Sequence, residues 1–456
     1  MKYFGWIFLF FIMLYILPLN NRPVLTGTEN CHRQITCEMM CGNRTVPVYQ
    51  GELQRDRMPM ANWLTLASFK LFGVNRFASR LPATLAIGIT ALLTALIIQQ
   101  TLRDEKLAAL AATICMSFSL GLFLSNSLPE TAIFTMFVSG ASGALFLATQ
   151  EERFNRRKFL ILVLSGIFTA LAFLTGGSYA LIFPLAAIIL FLIVEHRTEE
   201  LLFTIPVYLI SAILPVIPWA IAVSGMVPGY WQEFFSFSGF RMSLGSGAPY
   251  YAYFAAMVLG CFPVIILLPT VIMAGKEAWG RLIRQPLCRF AMTALISSLM
   301  LLTLLRNAPA GMIFVAFPAL SLLIAMGIQA YFNNGGHHRS FNWMLNVWGL
   351  FLLLTGILET VCWFMRDSLI QEYAASLPIT RLFLINLGIT SIIGGGIILY
   401  SLRGNWRSRL YLYFFSVAIL PLAISWCFTG DTLIRDNYLR RIFCHAETAE
   451  SITDQQ

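Results

Sequence analysis

The chain has 456 residues, of which 58% are apolar and only 12% are Asp, Glu, Lys or Arg. A soluble domain carries about 25% charged residues, so this composition excludes a cytosolic enzyme, a secreted domain and a disordered regulator. The net charge of +9 does not indicate nucleic-acid binding, because the basic residues lie in short loops between apolar runs, where membrane orientation requires them. The sequence predicts an all-α, polytopic membrane protein.

The first predicted element is an apolar run from Tyr3 to Leu19, which follows Met1 and Lys2. It has the appearance of a signal peptide, but no small-residue cleavage site follows it. We therefore predict an uncleaved signal anchor with its N-terminus in the cytoplasm.

Twelve further apolar runs suit helices that cross a bilayer. They lie at 81–100, 107–125, 129–148, 159–175, 179–194, 201–223, 250–273, 290–305, 310–330, 343–364, 382–401 and 409–428. The sequence thus predicts about thirteen spans, and an odd number places the two termini on opposite sides of the membrane.

Basic residues are distributed unequally between the two sets of loops. With the N-terminus inside, the cytoplasmic loops hold sixteen: Lys2, Arg103, Lys106, Arg153, Arg156, Arg157, Lys158, Arg197, Lys276, Arg281, Arg284, Arg289, Arg339, Arg403, Arg407 and Arg409. The short outer loops hold four: Arg241, Arg306, Arg366 and Arg381. Because cytoplasmic loops carry the excess of Lys and Arg, we predict an N-in, C-out orientation, which places the 20–80 loop and the tail after Thr429 outside.

The large first outer loop is predicted to carry short amphipathic helices. Ile35, Met39 and Met40 have helical spacing, and Thr28 before them is a residue type that caps helices. The segment from Trp63 to Gly73 predicts an interfacial helix with an aromatic and basic face.

The layout of this loop resembles the GT-C membrane glycosyltransferases, in particular the aminoarabinose transferase and protein O-mannosyltransferase-like branch. The match is most literal at Ser68-Phe69-Lys70-Leu71-Phe72-Gly73 and Arg80-Leu81-Pro82. It also covers Thr28-Glu29 to Glu38-Met39, Gly42 to Pro47, Asp56 to Trp63, and more weakly Pro129-Glu130, Leu174 to Ser178, Pro218-Trp219, Trp231 to Phe235 and Phe317 to Leu320.

The resemblance implies three regions. Residues 1–330, with the outer loop at 20–80, form a GT-C-like transmembrane glycosyltransferase module. Residues 331–428 are C-terminal transmembrane helices, and residues 429–456 are a short extracytoplasmic tail. The active-site motif departs from the family, whose leading catalytic Asp aligns with Thr28 and whose Lys in a later motif aligns with Gly176.

The resemblance further implies transfer of a sugar from a polyprenyl phosphate carrier to a lipid, glycan or protein acceptor. The implied location is a bacterial inner membrane with the active face in the periplasm or outside. A base must take the acceptor's proton, and cations must hold the phosphate. We predict Glu29 as the base. The predicted substrate-binding residues are Asp56, Arg57, Arg80, Arg241 and Arg306. The resemblance implies no certain cofactor, but some relatives use a divalent metal, to which Glu29 and Asp56 could contribute ligands.

Structural interpretations of these residues stay open. Glu29 could only favour the dipole of a helix start, and the outer arginines could be interfacial anchors. Glu359 lies inside the eleventh predicted span, where an ionisable residue can have a functional role. For Glu359 we favour a structural role instead, either a pair with Arg366 or a helix–helix hydrogen bond.

Four cysteines fall in the predicted outer segments: Cys31, Cys37, Cys41 and Cys444. Cys31 and Cys41 could form a disulfide if the chain turns between them. The set Cys31, His32, Cys37 and Cys41 also resembles a metal cluster, but its spacing matches no standard zinc pattern.

Two other functions also stay open. One is a catalytically silent GT-C-like scaffold, which the altered Thr28, Cys31 and Gly176 positions favour. The other is a lipid-linked sugar transporter or flippase, which should carry polar or broken-helix residues near the bilayer midplane. The predicted spans are nearly uncharged there, which favours the transferase over the transporter.

The predicted orientation can be tested with topology reporters. A reporter fused after Gln456 is expected outside, and one inserted near Arg156 inside, because cytoplasmic loops retain Lys and Arg. Protease accessibility in oriented vesicles measures both positions. A C-terminus on the cytoplasmic side would contradict the thirteen-span arrangement.

Overall fold

The computed structural model describes residues 2–20, 27–42, 44–54, 57–151, 154–232, 250–304, 310–333, 338–369, 381–400 and 406–426. Regular structure in this part is helical apart from one antiparallel hairpin of two short strands, β1 (Val48–Tyr49) and β2 (Glu52–Leu53). The predicted all-α fold class is confirmed.

The chain divides into two compact units, of which the first comprises 1–11, 24–74 and 78–341 and the second comprises 12–23, 75–77 and 342–456. The α-helices mainly in the first unit are α1 (Lys2–Phe11), α2 (Gly27–Cys41), α3 (Met60–Phe72), α4 (Arg76–Thr101), α5 (Glu105–Ser117), α6 (Ser119–Ser127), α7 (Pro129–Thr149), α8 (Arg156–Gly176), α9 (Tyr179–Val194), α10 (Leu201–Ile213), α11 (Ile217–Met226), α12 (Tyr250–Gly260), α13 (Leu268–Ile272), α14 (Lys276–Ile283), α15 (Pro286–Leu304) and α16 (Phe317–Asn333). Those mainly in the second are α17 (His338–Leu369), α18 (Arg381–Tyr400) and α19 (Trp406–Trp426).

Every predicted apolar run is mainly helical in its described residues, with breaks at Phe118 and at 261–263. Within the described ranges, seven helical segments are long and apolar enough to cross a membrane, and nine are if each of two bent pairs counts as one span. Shorter apolar helices occupy the remaining runs: Tyr3–Ile16, Tyr179–Val194, Asn386–Tyr400 and Ser408–Leu420. The count of thirteen spans and the N-in, C-out orientation stay predictions.

The two bent pairs meet each other at their breaks. Helices α5 and α6 bend by 56° around Phe118, and the pair Tyr251–Gly260 and Val264–Ile272 bends by 80°. The Ser119 backbone N–H donates to the Phe262 carbonyl at 2.9 Å, and the Ser119 hydroxyl donates to the Leu259 carbonyl at 2.6 Å. Each break frees backbone groups that lipid cannot satisfy, so these bonds make the two bends mutually supporting.

Small residues bring the helices of the first unit close together. The Ser165 hydroxyl of α8 donates to the Ala141 carbonyl of α7 at 2.9 Å. On the other side of α8, a Cβ added at Gly166 would lie 1.9 Å from Ser211 Oγ and 2.7 Å from its backbone carbon. Such close approach is the usual means of helix association in membranes.

The second unit uses paired glycines in the same way. A Cβ added at Gly395 would lie 2.6 Å from the Gly349 carbonyl oxygen, and one at Gly356 would lie 2.8 Å from the Gly388 carbonyl oxygen. The Ser391 hydroxyl of α18 lies 3.4 Å from Glu359 of α17. That contact agrees with the predicted helix–helix hydrogen bond of Glu359.

The close contact of α8 with α10 predicts a stability effect. Gly166→Ala should lower the free energy of unfolding by about 1–3 kcal/mol, because the added methyl forces the helices apart. Gly225→Ala in α11 is the matched control, since a Cβ there meets nothing within 4 Å and alanine favours helices. Thermal unfolding in detergent measures both, and equal melting temperatures would contradict the packing argument.

Candidate active site

Helix α2 is fixed at its first turn to the end of α6. The Thr28 hydroxyl donates to the Ser127 carbonyl at 2.8 Å. The predicted helix with Ile35, Met39 and Met40 is confirmed as α2, and the predicted interfacial helix as α3, which ends at Gly73 with φ of 76°. The outer loop therefore reaches the bundle as ordered helices.

Polar and apolar contacts hold α2 against α3. His32 Nε2 lies 3.0 Å from Thr65 Oγ1, and the Thr36 hydroxyl donates to Asn62 Oδ1 at 3.0 Å. Leu66 packs beside them in a buried apolar cluster with Ile35 and Met39 of α2. The two helices thus form one small layer on the first unit.

Two indole groups hold the segment that follows α2. The Trp63 indole N–H donates to the Arg44 carbonyl at 2.6 Å, and the Trp219 indole N–H of α11 donates to the Thr45 carbonyl at 3.0 Å. Val46 is buried in the same region against Trp219. The loop is consequently anchored to both α3 and α11.

A buried ion pair joins α2 to α4. Arg80 Nε donates to Glu29 Oε1 at 2.6 Å, and a second guanidinium nitrogen donates to Glu29 Oε2 at 3.0 Å. Arg80 is 1% exposed and Glu29 is 5% exposed. A bidentate pair of this kind is strong and directional, and it engages both carboxylate oxygens of the predicted base.

A second, more accessible ion pair lies at the start of α7. Arg57 approaches Glu130 Oε1 at 3.4 Å, and His32 Nδ1 lies 3.9 Å from the same oxygen. The Arg57 and Glu130 side chains are 28% and 34% exposed. Because His32 lies three residues after Glu29 on α2, the two side chains share one helix face.

The structure brings together three of the predicted site residues in these two pairs. Glu29 contacts Arg80, whereas Arg57 contacts Glu130. The other predicted residues, Asp56, Arg241 and Arg306, lie outside the described residues. The catalytic role of Glu29 and the phosphate-binding roles therefore stay predictions.

Two further residues bear on the site. Glu130 is not among the predicted site residues, although the resemblance of Pro129-Glu130 to the family at the start of a span could have indicated it. At Gly176, where the resemblance places a lysine in the family, an added Cβ would lie 2.5 Å from the Phe134 ring. Phe134 therefore occupies the space that a longer side chain would need.

The predicted cysteine arrangements can be compared with the helix that carries them. Cys31 and Cys41 both lie on continuous α2, about 15 Å apart along its axis, whereas a disulfide needs Cα atoms within about 7 Å. The suggested Cys31–Cys41 disulfide is therefore wrong, and both thiols are free.

The described residues do not suit a metal ion. Burial raises the pKa of the Cys37 thiol to about 11, against the opposing charge of Arg33. The carboxylates of Glu29 and Glu130 are engaged by the guanidinium groups of Arg80 and Arg57. No three His, Cys, Asp or Glu residues in the described ranges are placed to share an ion.

Comparison with known proteins gives a family match and curated relatives. Residues 56–221 match the family PMT_2, dolichyl-phosphate-mannose-protein mannosyltransferase. An undecaprenyl phosphate-alpha-4-amino-4-deoxy-L-arabinose arabinosyl transferase of Aeromonas salmonicida is 29% identical over 360 residues, or 78% of this chain and 63% of the relative. The enzyme of the same name from Photorhabdus laumondii is 24% identical over 87% of this chain and 71% of its own length. The chain thus spans just under two thirds of the first of these relatives.

Solved structures show the same fold. ArnT from Cupriavidus metallidurans bound to undecaprenyl phosphate matches with a TM-score of 0.74 over 92% of this chain and 76% of that one. Its apo state matches with a TM-score of 0.73 over 93% and 77%. Sequence identity to both is 15%, so this likeness establishes the fold.

The family match and the curated relatives confirm the predicted resemblance to the GT-C membrane glycosyltransferases, and the solved structures share the fold. Within that class, its similarity is to the undecaprenyl phosphate-aminoarabinose transferases. The site differs from the predicted family motif at Thr28, whose hydroxyl bonds Ser127, and at Gly176, which Phe134 covers.

The two ion pairs should differ in their contribution to stability. Glu29→Ala is expected to lower the free energy of unfolding by about 3–5 kcal/mol, because it leaves the buried Arg80 guanidinium without its carboxylate. Glu130→Ala should cost less than about 1 kcal/mol, as expected for a partly exposed pair. Chemical denaturation in detergent measures the difference, and comparable losses in the two variants would contradict the assigned burial.

Proposed function

We propose that the chain transfers a sugar from a polyprenyl phosphate carrier to a lipid acceptor at the membrane face that carries α2 and α3. The observation that carries the proposal is the accessible Arg57–Glu130 pair beside the buried Glu29–Arg80 pair. Relatives are named as acting on undecaprenyl phosphate-linked aminoarabinose, and one structural neighbour is bound to undecaprenyl phosphate. We place this face in the periplasm of a bacterial inner membrane.

Arg57 is the cation with access to a carrier phosphate in this proposal. Its guanidinium is half-buried and joins Glu130 through a single contact at 3.4 Å, so it can turn towards a phosphate oxygen. Arg80, in contrast, is committed to Glu29 by two hydrogen bonds. A bidentate guanidinium–phosphate contact would hold the donor and stabilise the charge of the leaving group.

Glu130 is the carboxylate with the better access to an acceptor proton. In the proposed step, the acceptor oxygen bonds to the anomeric carbon of the sugar while the bond from that carbon to the carrier phosphate oxygen breaks. The electron pair leaves with the polyprenyl phosphate, and the acceptor's proton passes to Glu130. Glu29 could take this role, as the sequence predicts, only if its pair with Arg80 opened.

His32 lies beside Glu130 in this arrangement. Its ring is fixed by the contact of Nε2 with Thr65, and Nδ1 lies 3.9 Å from Glu130 Oε1. That distance is longer than a hydrogen bond, so a small rotation of the Glu130 side chain would be needed to join them. The proposed base thus lies at the junction of α2, α3 and α7.

The proposal is tested with purified protein in liposomes and an undecaprenyl phosphate-linked aminopentose donor. Glu130→Gln should lower turnover by about 10²–10⁴-fold, the usual contribution of positioned proton transfer, while donor binding is kept. Arg57→Ala should weaken donor binding, with partial recovery in Arg57→Lys. Glu52→Gln, an exposed carboxylate on β2, is the matched control.

Separate arms supply a lipid, a glycan or a peptide acceptor. Turnover with the lipid alone supports the proposal, and turnover only with a glycan or peptide would move the acceptor to that class. Lower turnover in Glu29→Gln together with normal turnover in Glu130→Gln would identify Glu29 as the base instead. Absence of turnover in the parent protein with every donor would favour the silent scaffold.

A further inference from the structure

A cavity of about 620 Å³ lies among α4, α7 and α8, at the ends of these helices away from the candidate active site. Its mouth includes Gln100 and Arg103, which follow Arg80 by 20 or more residues along α4 and the turn after it. At 1.5 Å per residue this is about 30 Å, the thickness of a bilayer's hydrocarbon core. The cavity therefore opens at the opposite membrane face from the two ion pairs.

The deeper part of the cavity is apolar and has a side open to lipid. Gly140 and Gly143 of α7 lie on its wall, where Phe168 and Ile97 pack directly against them. Leu96 of α4 is 42% exposed and Leu164 of α8 is 47% exposed, so both present apolar surface at the rim. This shape suits a hydrocarbon chain that enters from the bilayer.

The mouth of the cavity is polar and carries an excess positive charge. Arg157 is compensated by Glu151 at 3.0 Å. Arg103 is exposed and forms no ion pair with any residue in the described ranges. Among the lining groups, Gln99 Oε1 is buried and has no hydrogen-bond partner within the part of the chain that the structure describes.

We infer that this cavity binds one anionic phospholipid from the leaflet opposite the candidate active site. The headgroup phosphate would lie at Arg103, and a headgroup hydroxyl would donate to Gln99 Oε1, the lining acceptor without a partner in the described residues. One acyl chain would lie along the apolar wall between α4 and α8. The uncompensated charge of Arg103 favours a headgroup with net negative charge over a zwitterionic one, and the volume is in the range of ligand pockets.

The inference can be tested without measuring transferase activity, so that its failure is distinct from a failure of the proposed function. Delipidated protein is incubated with a photoactivatable phosphatidylglycerol, and crosslinked peptides are mapped by mass spectrometry. Crosslinks are expected at 96–103 and 157–168. Unlabelled phosphatidylglycerol should compete better than phosphatidylcholine.

Variants separate headgroup recognition from the cavity itself. Arg103→Asn should weaken phosphatidylglycerol retention about fivefold, the contribution of one basic side chain near an anionic surface. Asn tolerates the left-handed backbone of Arg103, whose φ is 53°, so the turn is kept. Lys106→Gln removes the same charge from an exposed position that does not line the cavity and should leave retention unchanged. Ala144→Leu, which fills the cavity, should reduce retention of both lipids.

Several results would overturn the inference. These are equal retention in Arg103→Asn and the parent protein, equal competition by the two phospholipids, or crosslinks confined to the end of the bundle near Arg80. Displacement by undecaprenyl phosphate at lower concentration than by phosphatidylglycerol would also overturn it, and would assign the cavity to the carrier.

Discussion

The ion pair between Glu29 and Arg80 is the interaction on which the candidate site depends. It joins the first outer helix to the first long span where neither charge reaches water, and a buried charge is tolerated only with a well-placed partner. The pair fixes the rotation of α2, so that His32 faces α7. Through His32 it also sets the surroundings of Glu130, which is more exposed than either partner of the buried pair.

Two positions at which the chain departs from the motif it resembles make contacts of their own. The Thr28 hydroxyl bonds a backbone carbonyl and serves as a structural tie. At Gly176, the absence of a side chain admits Phe134. Both positions have structural roles in this chain, and the remaining charged groups are gathered at α2, α4 and the start of α7.

Hydropathy predicted the helices well because each span must be apolar along its length. It did not predict the bends at Phe118 and between α12 and α13, since an apolar run stays continuous in sequence where its backbone is broken. The helices of the outer loop were predicted from the spacing of Ile35 and Met39. The pairing of Glu29 with Arg80 could not be predicted from the sequence, because 51 residues separate them and only the tertiary fold brings them together.

The glycines between α17 and α18 have a consequence for how this part of the protein can move. The contacts Gly349–Gly395 and Gly356–Gly388 are seven residues apart on both helices. At the Gly388 contact the neighbouring residues are Leu387 and Ile389, so rotation of α18 about its own axis would bring a large side chain against the α17 backbone. Axial rotation of the two helices is therefore coupled, and a rearrangement of the C-terminal helices is expected to carry α17 and α18 together.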